Sequence, residues 1–215
     1  MTTFPIILSA PSGGGKTSIA RVLLEQRTDV GYSVSCTTRL PRQGEVDGHD
    51  YYFLSSGEFE AKRERGEFAE SAEVHGKLYG TLRREVERVM GTGRHVIMDI
   101  DVQGATQFVK AFPETVLIFV LPPSAEVLLA RLTARKTEDR GSLVRRLRSA
   151  RQELAAVGMY HYVVTNDDLR RAADQVSSIV DAEGARHNRV HELDDQIAQL
   201  IDGLEKTIGE YDHKR

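Results

Sequence analysis

The stretch Ala10-Pro11-Ser12-Gly13-Gly14-Gly15-Lys16-Thr17 decides the fold, because it joins two segments with different hydrophobic patterns. Residues 6–8 before it are a short apolar run that predicts a buried strand, and residues 16–26 predict a helix with one apolar face. A glycine-rich turn at such a junction lets successive backbone N–H groups point inward, and the helix N-terminus adds partial positive charge. We therefore predict a phosphate-binding loop. The alternative is a glycine-rich turn that holds no ligand.

Side chains in and near this loop indicate what it binds. Lys16 stands where an ammonium group reaches the outer phosphates of a nucleoside triphosphate, and the Thr17 hydroxyl stands where it ligates Mg²⁺. Asp99 follows the apolar residues 96–98, and a carboxylate at this place helps to hold Mg²⁺ in enzymes with such a loop. We predict a magnesium site at Thr17 and Asp99. The strict motif fails at its first position, where Ala10 replaces glycine.

Strand and helix patterns alternate along the rest of the chain. Further strands are predicted at residues 96–98, 116–121 and 162–164, and a helix follows the last of them through residue 179. Two prolines end the third strand, and Ser124 is placed to cap a helix that begins at residue 125. This alternation predicts an α/β fold with a parallel sheet covered by helices on both faces.

Composition excludes several other classes of protein. The chain has 215 residues, of which 40% are hydrophobic and 28% charged, and its net charge of −3 does not favour a nucleic-acid partner. A single cysteine, Cys36, excludes an intrachain disulfide and favours a reducing compartment. The first ten residues do not resemble a signal peptide, and no apolar run is long enough to span a bilayer. We expect a cytoplasmic protein without a membrane partner.

Two further stretches stand out from the α/β pattern. Residues 131–151 contain eight basic and two acidic residues, so they either contact phosphates or form a nucleic-acid patch, although the aromatic residues that stack on bases are missing. Residues 190–208 carry apolar side chains three or four apart, which predicts one apolar stripe on a helix. That stripe either packs on the body of the protein or joins two chains into a homo-oligomer.

Residues 35–84 predict a small α+β insertion, and its motifs are specific. It begins Ser35-Cys36-Thr37-Thr38-Arg39-Leu40-Pro41-Arg42-Gln43-Gly44-Glu45, in which two arginines three apart form a fork for a phosphate. The patterns G-x-D-Y-x-F, F-x-E and Y-G-T follow, then D-I-D-x-Q-G at residues 99–104 and N-D-D at 166–168. This ordered set closely resembles guanylate kinases from residue 6 to about residue 182.

The resemblance implies a fold of the P-loop nucleoside monophosphate kinase type, with a mobile lid and transfer of the γ-phosphate of ATP to GMP. It implies a kinase domain at residues 4–182, with core segments 4–34, 85–130 and 152–182, a GMP-binding insertion at 35–84 and a lid at 131–151. Residues 183–215 remain as a C-terminal helical tail. The implied cofactor is Mg²⁺, with ATP as phosphoryl donor.

Residue roles follow from the same resemblance. The implied ATP-binding residues are Ser12, Gly13, Gly14, Gly15, Lys16, Thr17 and Asn166, the last at the adenine. The implied GMP-binding residues are Arg39, Arg42, Tyr51 and Tyr79 at the phosphate and Ser35, Glu70, Thr81 and Asp101 at the base. The implied catalytic residues are Lys16, Arg39, Arg135 and Arg146, of which Arg135 and Arg146 belong to the lid.

The chain also departs from the common family pattern. Ala10 replaces a frequent glycine, Leu78 stands where a second tyrosine is frequent, and residues 134–136 replace a frequent Gly-Arg-Gly. Two other functions remain open at this point. One is a non-catalytic protein-binding module with the same fold, which would have lost nucleotide-site residues. The other is a kinase for a different acceptor, such as AMP or a ribose phosphate.

Overall fold

The structure is a computed structural model that describes residues 2–74, 76–133 and 140–212. Thr3–Ile179 form one compact unit, and the chain from Val180 onward forms a second unit together with Thr2. The strands are β1 (Pro5–Ser9), β2 (Val30–Tyr32), β3 (Cys36–Thr37), β4 (Tyr52–Phe53), β5 (Phe68–Val74), β6 (Lys77–Leu82), β7 (His95–Met98), β8 (Val116–Leu121) and β9 (Tyr162–Thr165). The α-helices are α1 (Lys16–Gln26), α2 (Ser56–Glu64), α3 (Arg83–Met90), α4 (Val102–Ala111), α5 (Ala125–Thr133), α6 (Arg140–Ala155), α7 (Leu169–Gly184) and α8 (Leu193–Asp212).

The larger unit is built on a five-stranded sheet in the order β2-β7-β1-β8-β9, with every neighbouring pair parallel. All residues of β1 and β7 are buried, as expected for central strands covered on both faces. The prediction of a parallel α/β sheet is therefore confirmed.

Strand order brings the predicted phosphate loop beside Asp99. β1 and β7 are parallel neighbours, with Ile7 opposite Met98, so both strands end at the same edge of the sheet. The loop leaves β1 at this edge, and Asp99 and Asp101 leave β7 there before α4 begins. Crevices at this edge of a parallel sheet are the usual ligand sites of such folds.

A second sheet lies between β2 and α3 in the sequence, in the order β4-β3-β6-β5. β6 is antiparallel to both β3 and β5, and α2 packs Phe59 against Cys36, Phe68 and Leu82 in a small core of its own. The predicted small α+β insertion is present. The limits 35–84 for the insertion and 131–151 for the lid remain predictions.

One helix end agrees with its sequence-based limit, and two others differ. Ser124 caps α5 as expected, because its hydroxyl accepts a 3.3 Å hydrogen bond from the Val127 N–H. α7 continues to Gly184, five residues past the predicted end at 179. The tail helix starts only at Leu193, so Val190 is outside it, because Glu192 adopts a left-handed φ of 57° that interrupts the helix. No helix in the described ranges combines the length and hydropathy needed to cross a bilayer.

Candidate active site

The loop between β1 and α1 has the backbone geometry that a phosphate cradle needs. Gly13 and Gly15 have positive φ angles of 83° and 94°, which glycine adopts without strain. The N–H of Gly14 donates to the Pro11 carbonyl over 2.7 Å and closes the turn. The departure at Ala10 is accommodated here, because a Cβ on Gly14 would lie only 2.6 Å from the Ala10 methyl and Gly14 has none.

Asn166, predicted to contact adenine, packs against this loop. Its Nδ2 donates a 2.9 Å hydrogen bond to the Gly14 carbonyl, and a Cβ on Gly15 would lie 2.2 Å from the same nitrogen. Only 5% of Asn166 is exposed. Asn166 therefore braces the loop, and a contact with adenine remains a prediction.

Oxygen atoms suited to Mg²⁺ lie together at the start of α1. The Thr17 hydroxyl donates to Asp99 Oδ2, and the Tyr32 hydroxyl donates to Asp99 Oδ1 over 2.6 Å. Mg²⁺ prefers carboxylate and hydroxyl oxygens and usually keeps several waters, so one carboxylate and one hydroxyl are a sufficient protein contribution. Thr17 and Asp99 therefore fit the predicted ion.

Tyr32 was not expected from the sequence. Burial and the neighbouring Asp99 carboxylate raise the pKa of Tyr32 well above its usual value, so its hydroxyl stays protonated and donates. Tyr32 ends β2, and it reaches Asp99 because β2 pairs with β7. That pairing is not readable from local sequence.

A cavity of about 1150 Å³ opens over the phosphate loop and is lined by Arg131, Arg145, Arg146 and Asn166. Arg131 is a further candidate, which no motif in the sequence distinguishes from the other arginines of the basic stretch. Its Nη2 donates to the Asn166 carbonyl over 3.1 Å, while its Nη1 is buried and without a hydrogen-bond partner among the described residues. A buried guanidinium donor beside a phosphate loop is suited to an anionic ligand.

Helix α6 contacts the loop at Ser12 in two ways. Arg146 donates from Nε and Nη2 to the Ser12 hydroxyl over 3.3 and 3.1 Å, and from Nη1 to the Leu132 carbonyl over 3.2 Å. The N–H of Ser12 donates to Glu153 Oε2 over 3.2 Å. Arg146 is thus at the phosphate loop, whereas the predicted partner Arg135 lies outside the described residues.

A second cavity of about 520 Å³ adjoins the first. Lys16, Thr17 and Tyr79 line both cavities, so the two meet where a phosphoryl group would pass from one side to the other. Other predicted acceptor residues that line the second cavity are Ser35, Tyr51, Glu70 and Asp101. Arg42 lines the first.

Two carboxylates at the second cavity are held in fixed orientations. Glu70 on β5 accepts a 2.7 Å hydrogen bond at Oε1 from the hydroxyl of Thr81 on β6. Asp101 is the N-cap of α4, and its Oδ1 accepts a 2.8 Å hydrogen bond from the Gly104 N–H. Burial raises the pKa of Glu70 to about 7, and the nearby Asp101 adds to this while the Thr81 hydrogen bond opposes it.

Arg39 is not among the residues that line either cavity. Glu45 holds its guanidinium through two hydrogen bonds of 2.8 and 2.9 Å, over the ring of Tyr51 at 5.3 Å from the centroid. The same carboxylate accepts a 2.7 Å hydrogen bond from the Arg42 N–H. The hydrogen bonds from Arg39, and to a lesser extent that from the Arg42 backbone, lower the pKa of Glu45 to about 2. Glu45, quoted in the motif without a role, therefore organises the predicted phosphate fork.

Comparison with known proteins identifies the family of this chain. A family model described as guanylate kinase matches residues 2–183. The chain belongs to the guanylate kinase family. It is 46% identical over 201 residues to the guanylate kinase of Aromatoleum aromaticum, covering 94% of this chain and 97% of that protein. It is 47% identical over 177 residues to that of Nitrosomonas europaea, covering 82% and 88%.

A solved guanylate kinase has the same fold. The crystal structure of the enzyme from Anaplasma phagocytophilum superposes with a TM-score of 0.75 at 35% identity, covering 90% of this chain and 93% of that one. The family assigned from the motifs is therefore confirmed. The role of each residue remains a prediction.

Proposed function

We propose that this chain transfers the γ-phosphate of ATP to GMP, and to dGMP, giving ADP and GDP or dGDP in purine nucleotide metabolism. One observation carries the proposal. A cavity that contains two oriented carboxylates, Glu70 and Asp101, opens at Lys16 into the cavity over the phosphate loop. A donor site and an acceptor site that meet at a lysine suit direct phosphoryl transfer between two nucleotides.

The carboxylates suit guanine because they only accept hydrogen bonds when ionised. Guanine presents N1–H and the N2 amino group as adjacent donors, whereas adenine presents an acceptor at N1. One oxygen of Glu70 is anchored by Thr81 and one oxygen of Asp101 by Gly104, which orients both groups before a ligand arrives. A buried mismatch of this kind discriminates between bases by up to ~10⁴-fold.

The transfer itself needs no general base. The second pKa of a phosphate monoester is about 6, so an anionic oxygen of GMP is available near pH 7 to attack the γ-phosphorus. The new O–P bond forms as the bond to the β-phosphate oxygen breaks, and ADP leaves. Lys16 and Arg146 stabilise the charge on the transferring group, with Arg39 and Arg42 positioning the acceptor phosphate.

Magnesium would be held at Thr17 and Asp99, where it would neutralise charge on the donor phosphates. The loop from Ser12 to Thr17 would bind those phosphates through its N–H groups. Lid closure by the segment that contains Arg135 and Arg146 would exclude water, which otherwise accepts the phosphoryl group. We also propose a cytoplasmic location and, through α8, self-association, with no nucleic-acid partner.

The test is a substrate panel. ADP release is measured with Mg·ATP and each of GMP, dGMP, AMP and UMP, for the wild type and for Lys16→Ala. We expect GMP and dGMP to be phosphorylated far faster than AMP and UMP, and kcat for GMP to fall about 10³-fold or more in the variant. A folded wild type without activity on any nucleotide would support the binding module instead, and a preference for AMP would support a different acceptor.

A further inference from the structure

Gln107 on α4 makes a two-point contact with the backbone of β5. The N–H of Ser71 donates to Gln107 Oε1 over 3.2 Å, and Gln107 Nε2 donates to the Ser71 carbonyl over 3.0 Å. Among the strands that the structure describes, β5 is the last of its sheet and pairs only with β6. The glutamine amide therefore takes the place of a neighbouring strand at one residue of this edge.

Gly104 contacts the same strand one turn earlier on α4. Positions three apart on a helix share a face, and here both members of that face meet β5. A Cβ on Gly104 would lie 2.7 Å from Glu70 Oε2 and 3.2 Å from its Cδ, so only glycine leaves room for this carboxylate. The helix thus touches Glu70 directly at Gly104 and holds the next residue, Ser71, through Gln107.

Both carboxylates at the acceptor cavity are therefore tied to one rigid element. Asp101 is the N-cap of α4, and Glu70 is covalently joined to the residue that Gln107 holds. Asp101 and Glu70 come from different sheets, since Asp101 follows β7 and Glu70 lies in β5. The packing of β5 against α4 therefore sets the distance between the two carboxylates.

We propose that Gln107 is a positioning residue that determines base specificity, by fixing β5 against α4 so that Glu70 and Asp101 read one guanine together. This rests on the proposed function, since it assumes that the acceptor is GMP. Gln107 is exposed and is not among the residues that line the second cavity, so its action is through Ser71 and Glu70. Misplacement of a positioned group by about 1 Å costs up to roughly 10²-fold in rate.

Gln107→Leu tests the proposal, because leucine has a similar size and makes neither hydrogen bond. We expect the KM for GMP to rise about 10-fold while kcat changes less than about threefold and the KM for ATP stays constant. The ratio of kcat/KM for GMP to that for IMP, which lacks the N2 amino group, should fall by about fivefold or more, since loosened carboxylates no longer exploit that group. Gln107→Glu keeps the acceptor for the Ser71 N–H and should be intermediate.

Gln175→Leu is the matched control, because the same change is made at an exposed position of α7. It should leave all these parameters at wild-type values. An unchanged GMP-to-IMP ratio in Gln107→Leu, or equal losses for GMP, IMP and ATP that follow a lowered melting temperature, would overturn the positioning role.

Amide hydrogen exchange separates this proposal from the proposed function. Without any nucleotide, the β5 peptide that contains Glu70 and Ser71 should exchange faster in Gln107→Leu than in the wild type and in Gln175→Leu. An unchanged exchange rate would overturn the proposal that Gln107 fixes β5 against α4, even if the wild type is an active GMP kinase. A wild type that does not phosphorylate GMP would overturn the proposed function and, with it, the role of Gln107 in guanine recognition.

Discussion

Glu70 on β5 accepts a 2.7 Å hydrogen bond from the hydroxyl of Thr81, its partner across the strand pair with β6, and only 5% of Glu70 is exposed. Burial raises its pKa to about 7, within reach of physiological pH. A residue in this position couples base recognition to the protonation state of one buried carboxyl.

We predict that kcat/KM for GMP falls as the pH drops below about 7. The protonated carboxyl carries a donor where guanine requires an acceptor, so binding of GMP must first remove that proton. The measurement is a pH profile from 5.5 to 9 for the wild type and Glu70→Gln. The phosphate of GMP titrates at about pH 6, so the rate of both proteins also decreases below that pH. A limb near 7 that persists in Glu70→Gln would show that it belongs to another group.

Stability should depend on the same carboxyl. Its pKa in the folded state, about 7, lies above its ordinary value of 4.5, so the folded state binds the proton more tightly than the unfolded state does. The resulting stabilisation is fully present below pH 4.5 and is lost as the pH rises through 7. The wild type therefore loses stability as the pH rises from 5 to 8, and Glu70→Gln does not. We expect the free energy of unfolding of Glu70→Gln, relative to that of the wild type, to increase by on the order of 3 kcal/mol over this interval.

Urea unfolding of both proteins at pH 5 and pH 8 measures this difference. A stability difference between the two proteins that is equal at both pH values would contradict a raised pKa at Glu70. Glu64→Gln, a change of the same kind at an exposed position in α2, serves as the control and should show no such pH dependence.

Substitution of Glu45 should change the KM for GMP and leave the KM for ATP unchanged. Glu45 holds the Arg39 guanidinium by two hydrogen bonds and accepts a third from the backbone N–H of Arg42, so it orients the Arg39 side chain and fixes the backbone that carries Arg42. Glu45→Gln removes the charge and keeps the size. We expect the KM for GMP to rise about 10-fold with a smaller change in kcat and an unchanged KM for ATP. The measurement is steady-state kinetics of Glu45→Gln, with Glu64→Gln as the control. An unaltered KM for GMP in Glu45→Gln would contradict the role of Glu45 in orienting Arg39.

Local sequence was sufficient for the features that depend on neighbours along the chain. The phosphate loop, the apolar strands β1, β7 and β8 and the Ser124 cap are all set by residues within a few positions of one another. Residues whose roles depend on strand order were not predictable in this way. Tyr32 reaches Asp99 because β2 pairs with β7, and Gln107 reaches Ser71 because β5 lies on α4.

Other residues lacked a distinguishing pattern. Arg131 is one of several arginines in a basic stretch, and only the structure shows that its Nη1 is buried and that its Nη2 donates to the Asn166 carbonyl. The start of α8 was misplaced because a left-handed backbone at Glu192 has no periodic signature, so the apolar spacing continues through it to Val190. The family motifs identified most acceptor residues, but not the groups that hold them.

The central claim is that Glu70 and Asp101 read the base. Glu70→Gln and Asp101→Asn each remove a charge at nearly constant size, and asparagine still caps α4. Each charge-assisted hydrogen bond is worth roughly 1.5–3 kcal/mol, so either change should lower kcat/KM for GMP by about 10- to 100-fold. AMP should be little affected or slightly better, because the negative charge that repels the N1 acceptor of adenine has gone.

The most direct measurement is the GMP-to-AMP ratio of kcat/KM for the wild type, Glu70→Gln and Asp101→Asn at one pH near 8, where Glu70 is ionised. We predict that the ratio falls in both variants by about the factor lost on GMP. A ratio that stays at its wild-type value in both variants, while the absolute rates decrease, would contradict the claim. Base choice would then have to reside elsewhere in the insertion, with Ser35 and Thr81 the first to be tested.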